Sequence, residues 1–191
     1  MLYDDSQLLA PDTPYMFADG SKVYDQFARE YIRHTRGFFI LGPSGSGKTH
    51  YVKNQTDKHW IDGDLLWQAA RAHPKGEWWL GSTEEINRID SRADVVTMEA
   101  KYNGLWIIGA SNFWLKPDAI VIPNWSTHKR YIRERETNNY DGGAKSDALG
   151  SVLYHRRWIM KHAKNGVPQF KSVDEATKYL MKLYSESPKV S

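Results

Sequence analysis

The sequence predicts a three-layer α/β fold, a parallel sheet of about five strands covered by helices on both faces. Two observations predict it. Short apolar runs bounded by Gly, Pro or Asp alternate with longer segments whose apolar residues recur at helical spacing. The first run, Phe38-Phe39-Ile40-Leu41, opens into a glycine-rich loop that leads straight into a helical segment. The 191 residues suffice for one domain, and eight Trp, eleven Tyr and six Phe supply a core, which excludes wholesale disorder.

The elements follow in order. Residues 1–35 read as an arm rich in turn residues, then a helix over 22–34 that carries Val23, Phe27 and Tyr31 on one face. Gly37 ends it, and a buried strand spans 38–41. A helix runs from Lys48 to about Gln55. His59-Trp60-Ile61 forms a second strand, ending in Asp62-Gly63-Asp64, and a helix from Leu65 to about Ala72 stops at Pro74. Residues 74–82 form a loop with Trp78-Trp79. Thr83, with Glu84 and Glu85 in the first turn, starts a long helix to 102. Strands follow at 105–109 and 119–122.

Residues 126–136 form a charged helix, 137–147 a polar loop with Gly142-Gly143, and 148–164 another helix. Val167 to Phe170 is a fifth strand, placed at the edge by Pro168. Ser172 caps a final helix with Val173, Ala176, Tyr179, Leu180 and Leu183 on one face. Trp60, Trp67, Trp106 and Trp158 fit core positions.

Several function classes fall away. There is no Cys, so a disulfide scaffold, a Cys zinc site and a thiol nucleophile are excluded. The His residues show no metal-ligand spacing. No apolar run approaches the roughly 20 residues of a membrane span. Met1-Leu2-Tyr3-Asp4-Asp5 is acidic and lacks the pattern of a signal peptide, so a soluble, cytoplasmic protein is expected. Lys and Arg number 26 against 23 acidic residues, a net +3 that suits an anionic ligand without demanding nucleic acid.

The motif that carries chemistry is Gly42-Pro43-Ser44-Gly45-Ser46-Gly47-Lys48-Thr49, a Gly, four residues, then Gly-Lys-Thr. Phosphate oxygens need closely spaced donors. Backbone amides supply them where glycines remove side chains and permit unusual backbone angles. The following helix adds its positive end. Lys48 can reach the β- and γ-phosphates, and the Thr49 hydroxyl can ligand Mg²⁺. ATP with Mg²⁺ is the expected ligand. No Asn/Thr-Lys-x-Asp motif for guanine is present.

An ATPase that couples hydrolysis to motion carries a carboxylate after a later strand. Here 105–109 runs into Ala110-Ser111-Asn112 and the fourth strand ends at Pro123-Asn124. The carboxylates follow the second strand instead, at Asp62 and Asp64, where strand ends of a parallel sheet line a ligand crevice. Asp62 or Asp64 can accept a proton from an attacking hydroxyl or hold Mg²⁺ through water. The pair can equally cap the next helix, Asp64 being well placed for it.

The phosphate loop, the short strand and Ile61-Asp62-Gly63-Asp64-Leu65 resemble the small P-loop kinases, such as gluconate kinase, adenosine-phosphosulfate kinase and the nucleoside monophosphate kinases. The likeness in layout covers roughly residues 36–185. It implies a P-loop nucleotide-binding fold of strand order 2-3-1-4-5, an acceptor-binding insertion near 73–104 and a lid near 126–147.

Kinases of this type neutralise the transferring phosphoryl group with lid arginines. Arg130 and Arg133 can face together on one helix, and Arg135 can reach from the lid hinge. Arg156 and Arg157 open a second cluster. The same charges also suit a solvated helix face. Arg88 and Arg92, four apart on the long helix, are candidates for an acceptor phosphate, and Trp78 can stack on a base or pack against a neighbour.

The expected activity is transfer of the γ-phosphate of ATP to a small acceptor, a nucleoside or deoxynucleoside monophosphate ahead of a sugar-acid-like alcohol. A monophosphate needs no base, which would make Asp62 a metal or sugar ligand. A polynucleotide 5′-hydroxyl kinase, and an ATP-binding regulatory or assembly protein with slow hydrolysis, are the alternatives.

Overall fold

The computed structural model describes residues 29–69, 81–109, 112–138 and 143–187. The arm, the predicted helix before Arg29, and the loop with Trp78 and Trp79 lie outside the described residues. The elements are β1 (Phe38–Leu41), α1 (Lys48–Asn54), β2 (Trp60–Asp62), α2 (Gly63–Ala69), α3 (Thr83–Tyr102), β3 (Trp106–Gly109), β4 (Ala119–Val121), α4 (Trp125–Thr137), α5 (Leu149–Lys164), β5 (Gln169–Phe170) and α6 (Val173–Glu186). The five strands form one all-parallel sheet of order β2-β3-β1-β4-β5, as expected. Every residue of β1 to β4 is buried, which is why these strands read as apolar runs without alternation. Among the described residues no helix is long and apolar enough to cross a membrane.

The described chain divides into two compact units. The first takes residues 29–39 and 55–115, with β2, β3, α2 and α3. Trp60 pairs with Trp106 and Asp62 with Ile108 across β2 and β3. The Trp60 and Trp106 rings lie 5.0 Å apart, and His34 stacks on Trp106 at 3.6 Å. Gln55 closes the outer edge of β2. Its side-chain oxygen accepts from the Trp60 amide at 2.9 Å and its nitrogen donates to the Trp60 carbonyl at 2.7 Å, as a neighbouring strand would. Ser82 caps α3 by accepting from the Glu85 amide at 3.1 Å.

The helix after β2 begins at Gly63, two residues earlier than expected, because Asp62 is its cap: its Oδ1 accepts from the Asp64 amide at 3.1 Å. Of the two aspartates expected as caps, Asp62 takes that role. Between them only glycine fits. A Cβ on residue 63 would lie 2.7 Å from Gly109 Cα and 3.0 Å from the Ile108 carbonyl oxygen, both backbone.

The second unit takes residues 40–54 and 116–187, with α1, β4, α4, α5, β5 and α6. Ile40 and Leu41 pair with Ala119 and Ile120, and Ile120 and Val121 with Gln169 and Phe170. Ser172 caps α6 as expected, accepting from the Glu175 amide at 3.2 Å, while the Glu175 carboxylate accepts from the Lys171 amide. The buried stripe of α6 is Val173, Ala176, Thr177 and Leu180. Tyr179 is exposed instead, its ring covering Phe170 at 5.1 Å. Thr177 joins the interior because its hydroxyl donates to the Asp174 carbonyl at 3.0 Å.

Gly63→Ala forces backbone apart at the start of α2, and overpacking of this kind costs about 1–3 kcal/mol. Urea unfolding of the variant should show that loss. An unchanged midpoint would mean that α2 and β3 can separate freely.

Candidate functional site

The loop from Gly42 to Gly47 leaves the C-terminal end of the central strand β1 and enters α1. Gly45 has φ +80°, the left-handed region that side chains disfavour, and a Cβ there would meet Ile132 Cγ1 at 2.8 Å. Gly47 has φ +91°. The Ser46 amide donates to the Pro43 carbonyl at 3.3 Å and tightens the turn. Lys48 is 6% exposed and curls back on the loop, its Nζ donating to the carbonyls of Gly42 at 3.0 Å and Pro43 at 2.7 Å. Thr49 is half-buried beside it.

Several polar atoms of this loop have no hydrogen-bond partner among the described residues. Ser46 Oγ is buried without a hydrogen bond. The amides of Gly45 and Gly47 meet no acceptor among the described residues. Buried donors normally find acceptors, so the Ser46 hydroxyl and the amide of buried Gly45, with the half-buried Gly47 beside them, mark a place open to an external acceptor.

The loop is held from behind by α4. His128, Ile132 and Arg135, at i, i+4 and i+7, form one face of that helix. His128 is fully buried. Its Nε2 lies 2.8 Å from the Ser44 carbonyl oxygen and its Nδ1 lies 2.8 Å from Arg156 Nη1. A guanidinium only donates and a carbonyl only accepts, so Nδ1 carries the lone pair and Nε2 the proton. Burial, then the charges of Arg156, Lys48 and Arg135, push the imidazole pKa down to about 4 against the opposing pull of the Ser44 bond. Arg156, 7% exposed, also donates from Nη2 to the Pro123 carbonyl at 2.8 Å and lies over the Trp125 ring at 5.4 Å.

The Ser44 side chain turns to Arg135 and to the chain resumed at 143. Its Oγ accepts from Arg135 Nη1 at 3.3 Å and from the Ala144 amide at 3.0 Å. Gly143 passes so close that any Cβ would overlap Ser44 Oγ. The Ser146 amide donates to Glu136 at 2.7 Å, a bond that lowers the Glu136 pKa. The resumed chain at 143–146 is thus tied to the end of α4 and to the loop at once.

The arginines of the charged helix divide. Arg135 reaches the loop directly and Arg156 reaches it through His128. Arg130 and Arg133 lie on the opposite face of α4, exposed, and Arg130 pairs with Glu134 at 3.5 Å. They are not brought to the loop. With Ser126, Lys129, Thr137 and Asn138 they line a surface groove.

Asp62 and Asp64 belong to the first unit, Asp62 buried and Asp64 half-buried. On α3, Arg88 is exposed and Arg92 is half-buried, its pKa lowered by burial and by Arg88. Trp78 lies outside the described residues.

Two residues carry weight that sequence reasoning missed. One is His128, whose only signal was its place on a face with Ile132. The other is Asp94, fully buried on α3. Its Oδ2 accepts from the amides of Phe113, Trp114 and Leu115 at 2.7, 2.6 and 3.1 Å and so shapes the turn after β3. Burial outweighs these bonds and raises the Asp94 pKa to about 6.

These shifts set an acid limit. His128 and His34 are both lowered from 6.5 to about 4, so the unfolded chain binds their protons first and stability is lost as pH falls from 6.5 toward 4. His128 alone accounts for a loss on the order of 3 kcal/mol by pH 4. Asp94 works the other way, since its raised pKa favours the fold as pH falls from about 6 to 3.8, but it stands alone against His128, His34, His162 and Glu136, all lowered. Urea unfolding at pH 7, 5.5 and 4.5 should show a steady net loss, and His128→Gln should flatten it. A level curve would contradict the buried neutral ring.

No family model, no curated protein and no solved structure matches this chain, so the geometry of the loop and its supports is what a functional reading has to rest on.

Proposed function

We propose that this protein is a P-loop kinase that transfers the γ-phosphate of ATP to a small acceptor, a nucleoside or deoxynucleoside monophosphate. The observation that carries the reading is the loop itself. A buried lysine, two amides without acceptors and an orphaned serine hydroxyl converge within Gly42 to Lys48. That donor set fits a triphosphate. Its oxygens would satisfy the Gly45 and Gly47 amides and Ser46 Oγ, and would draw Lys48 off the Gly42 and Pro43 carbonyls. Mg²⁺ bound with the nucleotide would neutralise phosphate charge, with Thr49 as the residue to hold it.

In the transfer, the bond from the γ-phosphorus to the β–γ bridging oxygen breaks and a bond to the acceptor oxygen forms. Lys48 and Arg135 stabilise charge on the oxygens of the migrating group. A monophosphate oxygen attacks already ionised, so no proton has to be removed. With an alcohol acceptor, Asp62 would take the proton. Arg92, half-buried on α3, is the candidate for the acceptor phosphate, with Arg88 beside it.

The groove on the far face of α4 favours a second reading, a polynucleotide 5′-hydroxyl kinase. Among the described residues Lys129, Arg130 and Arg133 line the groove with a single carboxylate, Glu134. A single strand tracking those cations would bind with a steep salt dependence.

The deciding experiment incubates the protein with Mg²⁺, ATP and separate panels of nucleoside monophosphates, sugar acids and 5′-hydroxyl oligonucleotides, with phosphorus NMR to identify product. A phosphorylated monophosphate is expected, and Lys48→Ala should reduce its formation by about 100-fold or more. ADP formation indifferent to every acceptor would sink the kinase reading and leave an ATP-binding regulatory protein.

Arginine substitutions give an independent check. Arg135→Ala should lower turnover by about 100-fold, whereas Arg130→Ala and Arg133→Ala should change transfer to a monophosphate by less than about 3-fold. If the latter two weaken only oligonucleotide phosphorylation, the second reading prevails.

A further inference from the structure

The Ser44–Gly45 peptide can lie in two orientations, and the loop's own sequence does not choose between them. Rotating that peptide unit changes ψ of Ser44 and φ of Gly45, and glycine accepts φ of either sign. The choice matters for an anion. The peptide is planar and trans, so its N–H points opposite to its C=O. In the observed orientation the Ser44 carbonyl faces His128, which leaves the Gly45 amide aimed away from α4 and without an acceptor among the described residues. Turned over, the peptide would show its carbonyl oxygen where that amide now points and would repel a phosphate.

We propose that His128 is a positioning residue that locks the Ser44–Gly45 peptide in its anion-accepting orientation, with Arg156 fixing the ring tautomer that makes the lock work. The proposal rests on the reading of the loop as a triphosphate site. Its logic is a one-way relay. Arg156, anchored by the Pro123 carbonyl and stacked on Trp125, can only donate to Nδ1. Nδ1 is therefore bare, Nε2 carries the hydrogen, and Nε2–H can only donate to the Ser44 carbonyl. The opposite tautomer would set a hydrogen of the ring against one of the guanidinium and lone pair against lone pair at Ser44. Among the described residues the charged groups around the ring are Arg156 from α5, Arg135 from its own helix and Lys48 from α1, all cations, and they oppose its protonation.

Two substitutions separate the halves of the relay. His128→Gln can place its amide nitrogen where Nε2 stood and keep the bond to Ser44. His128→Asn is one methylene shorter, so it can still accept from Arg156 but cannot reach the Ser44 carbonyl. Calorimetric titration with Mg²⁺-ATP should give wild-type affinity within about 3-fold for the Gln variant and a loss of about 10-fold or more for the Asn variant. The Gly45 amide proton should shift on ATP addition in wild type and in His128→Gln, and not in His128→Asn.

If wild type binds and the Asn variant binds as tightly, the lock is wrong and the triphosphate reading stands. If wild type shows no ATP binding, that reading fails and the lock falls with it. Should the Asn variant not fold, imidazole nitrogen NMR of the unaltered protein decides. A His128 ring protonated on Nε2 alone, unchanged from pH 8 to 5.5, supports the lock. An Nδ1-protonated ring, or one that titrates near 6.5, overturns it.

Discussion

The hydrogen bonds on the two sides of the His128 ring are the constraint from which the glycine-rich loop takes its shape. A buried imidazole has two nitrogens to satisfy, and here one meets an obligate donor and the other an obligate acceptor. That arrangement costs little while the ring is neutral and a great deal once it is charged, because the charged groups that act on it among the described residues are cations. The bond to Ser44 reaches across 84 positions of chain and the one to Arg156 across 28. β1, α4 and α5 must all be in place before either forms. The loop is therefore a tertiary product, although its residues are contiguous.

Ser44 extends the same constraint to the end of α4 and the chain resumed at 143. Its carbonyl is held by His128, while its hydroxyl receives Arg135 and the Ala144 amide. One residue joins the loop, α4 and the chain resumed at 143. The glycines on either side are explained by this crowding: Gly45 lies against Ile132, and Gly143 lies against Ser44 Oγ. The small residues of the motif serve the contacts behind the loop as much as the space in front of it. The first unit has its own anchor in Asp94, whose three amide donors shape the turn after β3.

Much of the architecture was legible because the relevant signals are local. Apolar runs such as Phe38 to Leu41 and Leu105 to Gly109 can only be buried parallel strands when helical segments separate them. Ser172 before Val173 marks a helix start within four residues, as do Glu84 and Glu85 in the first turn after Thr83. The phosphate-loop pattern is likewise contiguous. What local reasoning misplaced were choices of face and cap. Tyr179 fits the apolar spacing of α6, yet Thr177 takes the interior place, since its hydroxyl is satisfied by its own helix. Both aspartates were candidates to cap the next helix, and helical geometry begins early enough that Asp62 takes the role.

By itself the sequence determined the strand and helix order and the position of the glycine-rich loop, because each follows from periodicity or from neighbouring residues, while the strand order of the sheet came from the resemblance in layout. Only the tertiary structure decided which charged groups meet that loop. On a helix carrying Lys129, Arg130, Arg133 and Arg135, spacing shows which residues share a face but not which face turns inward. Ile132, with His128 beside it, is the apolar anchor that turns it, and it carries Arg135 to the loop while leaving Arg130 and Arg133 outside. The partnership of His128 with Arg156 has no sequence pattern at all. It exists because two helices happen to bring a ring that can accept on one edge against a guanidinium that can only donate.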